Sequence, residues 1–313
     1  MLAFDKVRRA VRDPLAAGYA IRGKLDRDTL FKRYASRARA AGLDRVYFVL
    51  SFDCDTEDDI AVVWDVHSRL ADMGVQPVYA VAGDLLRTGE KVYGRIRETG
   101  AQFINHGNRK HTYFDDALGR HASCFFYDEE PREDIRNDIM GGDETLRAVL
   151  DVEPIGFRTP HFGTFQRREQ LVFLHGVLKE LGYRFSTSTA PLYGFRHGAI
   201  FDTYGLPEIP VSGCATAPLR ILDTWSCFMA PGRTLSPADY RREGKAMGQR
   251  IGALGAGILN YYADPIHIHD QPIFFETVKA WAEAAQSTDV PTSAHFFTVS
   301  KKSGWSCMCD GSA

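Results

Sequence analysis

Apolar residues along this chain follow two alternating patterns. Short unbroken apolar runs, typical of strands buried on both faces, begin with residues 45–51. Between such runs, apolar residues recur every three or four positions, as in the stretch from Asp58 to Met73 that Gly74 closes. The same patterns predict further strands at 77–82, 102–105, 156–160 and 258–263 and near Phe185 and Ile209, and further helices at 90–99, 131–150, 167–181, 236–254 and 273–285.

The alternation itself predicts the fold class. Strands that alternate with helices of this length favour an α/β protein with a parallel sheet. An open doubly wound sheet usually carries a glycine-rich nucleotide loop after its first strand, whereas carboxylates follow that strand here. We therefore predict a distorted (β/α) barrel of about seven strands over residues 45–300. An N-terminal helical extension (1–44) would pack outside it, and residues 301–313 would form a flexible tail.

Composition narrows the classes of partner and compartment. A formal net charge of −2 leaves no basic excess to neutralise phosphates, so nucleic acid is not an expected partner. The six cysteines show no disulfide framework, which favours a reducing compartment. Charged residues interrupt the N-terminal segment every few positions, whereas a signal peptide needs an unbroken apolar run. No apolar run in the sequence approaches the roughly 18–20 residues of a membrane span. We expect a cytoplasmic protein. Weak contact between the basic N-terminal helices and an anionic membrane surface is an additional hypothesis.

Polar side chains with metal-binding or acid–base chemistry follow the predicted strands. In a β/α barrel the carboxyl ends of the strands carry the function. An unpaired carboxylate at the end of an apolar strand is costly to bury, which favours a functional role for the acidic pair there, although Thr56 to Asp59 also suits a helix N-terminus. Carboxylate oxygens and imidazole nitrogens together predict a metal site with acid–base groups beside it. The candidates are Asp53, Asp55, His106, His111, Arg158, His161, His267 and His269.

These motifs, in their order, resemble those of the polysaccharide deacetylase (NodB-homology) family. The segments that carry the resemblance are 51–55, 105–111, 157–160 and the late histidine cluster, within a span from about Val46 to Trp281. The resemblance implies metal-dependent hydrolysis of a carbon–nitrogen amide bond, above all N-deacetylation of an N-acylated sugar, with nucleotide- and lipid-linked sugars as candidates. The alternatives are an amidohydrolase of a cyclic imide or ureide, and a catalytically inactive sugar-binding module.

The resemblance also implies roles for the metal-binding and basic residues. Asp55, His106 and His111 would hold one divalent ion, with zinc as the first candidate. Asp53 would be the general base that takes a proton from the attacking water, and Arg158 would keep Asp53 ionised and aim it.

For the remaining candidates the implied roles concern the substrate. The stretch Thr159, Pro160 and His161 would line the substrate and offer a backbone N–H to the oxyanion. Trp225 would shape the surroundings of the general acid. That acid would be His267 or His269, with His267 narrowly favoured.

The sequence departs from the family pattern at two of these motifs. Cys54 separates Asp53 from Asp55, where two adjacent Asp are common. His106 and His111 lie five positions apart instead of four, and five positions on a helix overshoot the shared face by roughly 140°. Convergence of the two histidines therefore requires a π-bulge or a loop between them.

Overall fold

A parallel sheet forms the centre of the protein. The computed structural model describes residues 14–117, 119–229 and 235–287. In this part of the chain, six strands form one sheet in the order β7-β6-β3-β2-β1-β8, and β4 and β5 form a separate antiparallel hairpin. The strands are β1 (Val46–Cys54), β2 (Val78–Val81), β3 (Gln102–Asn105), β4 (Thr112–Asp115), β5 (Arg120–Ser123), β6 (Gly156–Phe157), β7 (Phe185–Ser186) and β8 (Gly257–Ala263).

Helices cover this sheet as the sequence pattern predicts. Their apolar stripes face the strands, and every residue of β1 and β8 is buried. A strand buried on both faces has no polar alternation, which is why these strands appear in the sequence as continuous apolar runs. The helices are α1 (Pro14–Leu25), α2 (Arg27–Ala40), α3 (Glu57–Asp72), α4 (Gly83–Thr88), α5 (Glu90–Glu98), α6 (Arg132–Leu150), α7 (Arg168–Glu180), α8 (Pro191–His197), α9 (Pro237–Leu254), α10 (Pro265–Ile268) and α11 (Pro272–Ser287).

An extended segment, residues 207–212, lies between the two edges of the sheet. On one side the N–H of Ile209 donates to the carbonyl of Ser186 at 2.8 Å. On the other side the N–H of Ser212 donates to the carbonyl of Asn260 at 2.8 Å. The segment takes the place of a seventh, irregular strand between β7 and β8, so the predicted distorted barrel is confirmed. The strand predicted near Ile209 is present only in this irregular form.

Helix α2 covers the end of the barrel where β8 begins, and α1 packs against α2. The Tyr34 hydroxyl donates to the carbonyl of Ile258 at 2.8 Å and accepts its N–H at 3.1 Å. Phe31 packs edge-on against Phe195 of α8, with ring centroids 5.2 Å apart. The carboxyl ends of the strands, where the candidate site residues lie, are at the opposite end. The domain boundary at residue 44 stays a prediction, and the predicted tail lies outside the described residues.

None of the described helices has the length and apolar character required to cross a membrane.

Candidate active site

The loop from His106 to His111 brings two histidines together by leaving helical geometry altogether. His106 follows β3 directly, and Gly107 adopts a φ of +78°, where a Cβ would lie 2.3 Å from a carboxylate oxygen of Asp138. That carboxylate, on α6, accepts the backbone N–H of Asn108 at 3.1 Å and that of the following residue at 2.8 Å. A loop, and not a π-bulge, therefore brings His106 and His111 together.

Both histidine rings converge on Asp55. Nε2 of His111 lies 2.8 Å from Oδ1 of Asp55, and Nε2 of His106 lies 3.4 Å from the same oxygen. The two rings are buried and perpendicular, with centroids 4.7 Å apart. In the described part of the chain this is the one group of His, Cys, Asp or Glu side chains whose ligand atoms all lie within 4.8 Å of one another. The predicted ligand set is thus brought together.

The hydrogen bonds of this triad fit a bound cation. Nδ1–H of His106 donates to the carbonyl of Arg158 at 2.8 Å, which leaves a lone pair on Nε2 facing Asp55. A lone pair and a carboxylate oxygen at this separation repel each other unless a proton or a metal ion lies between them. Burial by itself would raise the pKa of Asp55, but His111 and His106 together lower it well below its usual value. A charged carboxylate and oriented imidazoles are what a divalent ion requires.

A buried ion pair lies beside this triad. Nη1 of Arg158 donates to Oδ1 of Asp53 at 2.5 Å and to the hydroxyl of Ser51 at 2.8 Å, while its Nη2 lies 3.4 Å from the hydroxyl of Thr187. Burial raises the pKa of Asp53, and the Arg158 guanidinium opposes this only in part. The Arg158 guanidinium thus makes the contact with Asp53 that the predicted role requires, while burial makes that carboxylate a better proton acceptor.

His267 lies on α10, directly after β8. Its Nδ1–H donates to Oδ2 of Asp264 at 2.9 Å, and the Thr224 hydroxyl donates to the same oxygen at 3.0 Å. Burial alone would lower the pKa of His267, but the Asp264 carboxylate raises it above its ordinary value. The imidazolium therefore persists to higher pH, as a proton donor requires.

Comparison with solved structures shows what this architecture resembles. No family model and no curated protein matches the sequence. A protein from Mycobacterium smegmatis assigned as a polysaccharide deacetylase superposes with a TM-score of 0.60 at 17% identity, over 82% of this chain and 92% of that one. A second such protein, from Pseudomonas aeruginosa PAO1, gives 0.55 at 11% identity, over 84% and 92%. The chain has the polysaccharide deacetylase fold. The resemblance noted in the sequence is confirmed at the level of the fold.

Within the deacetylase fold, the structure separates the two late histidines. Because α10 is a helical turn and not an extended segment, residues two apart point in different directions. His269 lies 3.1 Å from Asp270 and 3.9 Å from Asp65, with 32% of its side chain exposed. Of the two candidate acids, only His267 is part of the buried cluster.

The stretch after β6 offers one backbone donor. The N–H of Thr159 donates to the hydroxyl of Ser188 at 3.0 Å, and Pro160 has no N–H. His161 has a left-handed φ of +59°, its ring Nε2 bonds the carbonyl of Cys124 at 2.8 Å, and its ring centroid lies 5.1 Å from that of His111. Among the described residues, its N–H has no acceptor. Of the three predicted residues, His161 is therefore the one whose main-chain N–H is left for a ligand.

Trp225 begins a π-helix, Trp225–Met229, that contacts α10, so it lies near the histidine that the resemblance placed it beside. About half of its side chain, 49%, is exposed. An exposed aromatic ring at the edge of the site is suited to contact with the substrate.

Two buried carboxylates of this site are absent from the candidates that the sequence supplied. Asp264 looked like part of an Asp-Pro turn, and Asp59 looked like a helix-capping residue. The available signal was their distance from chemistry-bearing neighbours: Asp264 is three residues before His267, and Asp59 is four residues after Asp55.

Proposed function

We propose that this protein is a metal-dependent hydrolase that removes the acyl group from the nitrogen of an N-acylated sugar. The observation that carries the proposal is the convergence of Asp55, His106 and His111 beside the buried Asp53–Arg158 pair. The fold shared with two proteins assigned as polysaccharide deacetylases supports it. The candidate metal ligands and acid–base residues therefore lie together at the carboxyl ends of the strands, where a β/α barrel carries its function.

Asp55, His106 and His111 would hold one divalent ion, and their oxygen and nitrogen donors suit zinc. When bound there, such an ion supplies a Lewis acid that acidifies water and polarises a carbonyl group.

The protein's own side chains supply the proton transfers. Asp53 accepts a proton from the attacking water, and Arg158 keeps its carboxylate aimed. The N–H of His161 donates to the oxyanion that develops on the amide carbonyl. His267, kept protonated by Asp264, donates a proton to the nitrogen that leaves. The leaving amine is poor until it is protonated, so this last transfer is as necessary as the first.

The chemistry of the site and the state of the cysteines bear on the substrate and the compartment. The same groups would hydrolyse any amide carbonyl, so a cyclic imide or ureide remains the second candidate substrate. The set of buried acid–base residues argues against an inactive sugar-binding module. A cytoplasmic location would favour a nucleotide- or lipid-linked sugar. The four cysteines of the described residues, Cys54, Cys124, Cys214 and Cys227, are all free thiols, which agrees with a reducing compartment.

Metal removal and return test this function. We expect metal-free protein to bind one Zn²⁺ per chain in calorimetry, and His111→Gln to abolish that binding because His111 lies 2.8 Å from the Asp55 oxygen. Acetate release from a panel of N-acetylated sugar nucleotides should require the ion. His197→Gln, at a histidine packed in an aromatic cluster with Phe201, is the matched control. Acetate release that persists in chelator would contradict the proposal, and ring opening of a cyclic ureide without acetate release would select the second candidate.

We also propose weak contact of α1 with an anionic membrane surface. Charge is strongly segregated: residues 1–40 hold 11 Lys and Arg against 4 Asp and Glu, whereas the remaining residues hold 27 against 36. On α1, Leu15, Ile21 and Leu25 are exposed, Leu25 by 82%, and the spacing places Ile21 and Leu25 on one side of the helix between Lys24 and Arg22. Apolar side chains between basic ones suit the headgroup region of anionic lipid.

Vesicle binding checks this contact. We expect the protein to partition onto vesicles that contain anionic lipid, more weakly onto neutral ones, and less as salt rises. Combined Arg22→Gln and Lys24→Gln substitution should weaken binding by about fivefold per charge. Combined Arg241→Gln and Arg242→Gln substitution, at two exposed arginines of α9, should not. Equal binding to neutral vesicles, or self-association in place of binding, would contradict the proposal.

A further inference from the structure

The carboxylate of Asp59 holds the strand end that carries Asp55. Its Oδ2 accepts the N–H of Asp55 at 3.1 Å, the N–H of Thr56 at 3.0 Å and the hydroxyl of Thr56 at 2.8 Å. These bonds include the capping box of α3, a common device at helix N-termini. They fix the backbone of the residue that, under the proposed function, binds the metal.

The second oxygen of the same carboxylate reaches a distant part of the chain. Oδ1 of Asp59 accepts the N–H of Ile266 at 3.0 Å, across 207 residues of sequence. Ile266 lies in the first turn of α10, next to His267. A capping box has no need of this bond, because its two reciprocal bonds use the Thr56 hydroxyl and Oδ2 of Asp59 and leave Oδ1 out.

Helix α10 depends on such outside contacts. It has four residues, so its own hydrogen bonds are few: the N–H of His267 donates to Asp264 at 3.1 Å, and that of His269 donates to Pro265 at 3.0 Å. A second contact with α3, from Arg69 to the carbonyl of His269, is exposed to solvent, whereas Asp59 is fully buried. Among the described residues, Asp59 therefore makes the buried hydrogen bond between α3 and the turn that carries His267, beside the apolar packing of Ile268.

We propose that Asp59 is a positioning residue that sets the place of the general acid His267 relative to the metal-binding end of β1. This inference rests on the proposed function. Its physical basis is that, beyond the last paired residues of β1 and β8, one buried carboxylate bonds both halves of the site, so that the place of α10 relative to Asp55 depends on this side chain. Misplacement of a reacting group by about 1 Å can cost about 10²-fold in rate.

Asparagine at this position cannot satisfy both halves. Its amide has one acceptor oxygen and an NH₂ group that only donates. If the oxygen faces Thr56, the NH₂ opposes the N–H of Ile266, and α10 must move away. The substitution keeps the size of the side chain and the cap, so it disturbs the link more than the fold.

A double-mutant cycle with His267 tests the inference. We expect Asp59→Asn to lower kcat of acetate release by about tenfold while KM and zinc affinity change little. In the His267→Ala background, the same substitution should cause no further loss, because the group that it positions is gone. Asp58→Asn is the matched control: it removes the same charge from the same helical turn, but its side chain is 59% exposed and makes no bond to α10.

The outcomes separate this inference from the proposed function. An equal loss of kcat in both backgrounds would show that Asp59 has a structural role only. A loss of zinc affinity as the main effect would show that Asp59 positions Asp55 and not His267. Either result overturns the inference. If Asp59→Asn does not fold, Asp59→Glu replaces it in the cycle, since a longer side chain cannot keep both partners at hydrogen-bond distance. A wild-type protein without zinc-dependent hydrolysis contradicts the proposed function itself.

Discussion

Replacing Asp53 by Asn should lower kcat by about 10² or more while zinc content stays unchanged, which is the scale expected for loss of a positioned proton acceptor. The amide keeps an oxygen for the 2.5 Å contact with Arg158 but cannot take a proton from water. Steady-state kinetics and metal analysis of the same purified sample are the measurement.

Asp55→Asn is the paired control for this experiment. It should lose the ion first and activity as a consequence, because the amide contributes no charge to hold the ion between His106 and His111. Full activity of Asp53→Asn would show the assigned mechanism to be wrong. If Asp53→Asn lost the ion and Asp55→Asn kept it, the two roles would be exchanged.

Loss of His267 should have a comparable effect, with a distinct pH signature. Asp264 raises the pKa of His267, so the protonated donor is present at pH values below that raised pKa and is lost as pH rises through it. Activity of the wild-type protein should therefore fall on the basic side of its profile. We expect His267→Ala to remove that basic limb and to cost about 10² to 10⁴ in kcat, with little change in zinc affinity.

His269→Ala provides the comparison for His267→Ala. Its side chain faces Asp65 and Asp270 outside the buried cluster, so its removal should have only a modest effect. The reverse pattern would move the general acid to His269. Wild-type rates in both variants would place the acid elsewhere in the chain.

The fold was predictable because its signal is local. Each central strand is buried on both faces, so β3 could be located at its observed bounds and β8 within one residue at its N-terminal end. The short elements α4 and α10 and the hairpin β4–β5 were not predicted. Six or four residues cannot establish a helical period, and their conformation depends on contacts with the rest of the chain, such as that of α10 with Asp59.

The site was predictable in its residue types but not in its geometry. Asp55 follows β1 and His106 follows β3, the two strands that flank β2, and a parallel sheet brings their carboxyl ends to one edge. Whether His111 joins them depends on a loop that Asp138 holds from α6, about thirty residues along the chain. The role of Asp59 depends on the N–H of Ile266, 207 residues away, which no local pattern could identify, whereas Asp264 lies only three residues before His267.

Arg158 acts on its two neighbours through different parts of the residue. Its guanidinium bonds Asp53, while its main-chain carbonyl accepts the Nδ1–H of His106. Every amino acid at position 158 would supply that main-chain carbonyl, but only arginine supplies the guanidinium group. Under the proposed function, substitution there would disturb the proton acceptor Asp53 and keep the hydrogen bond that sets the tautomer of His106. Under the proposed function, a single codon change would turn a hydrolase into a protein that only binds the ion, a short evolutionary path from enzyme to binding protein.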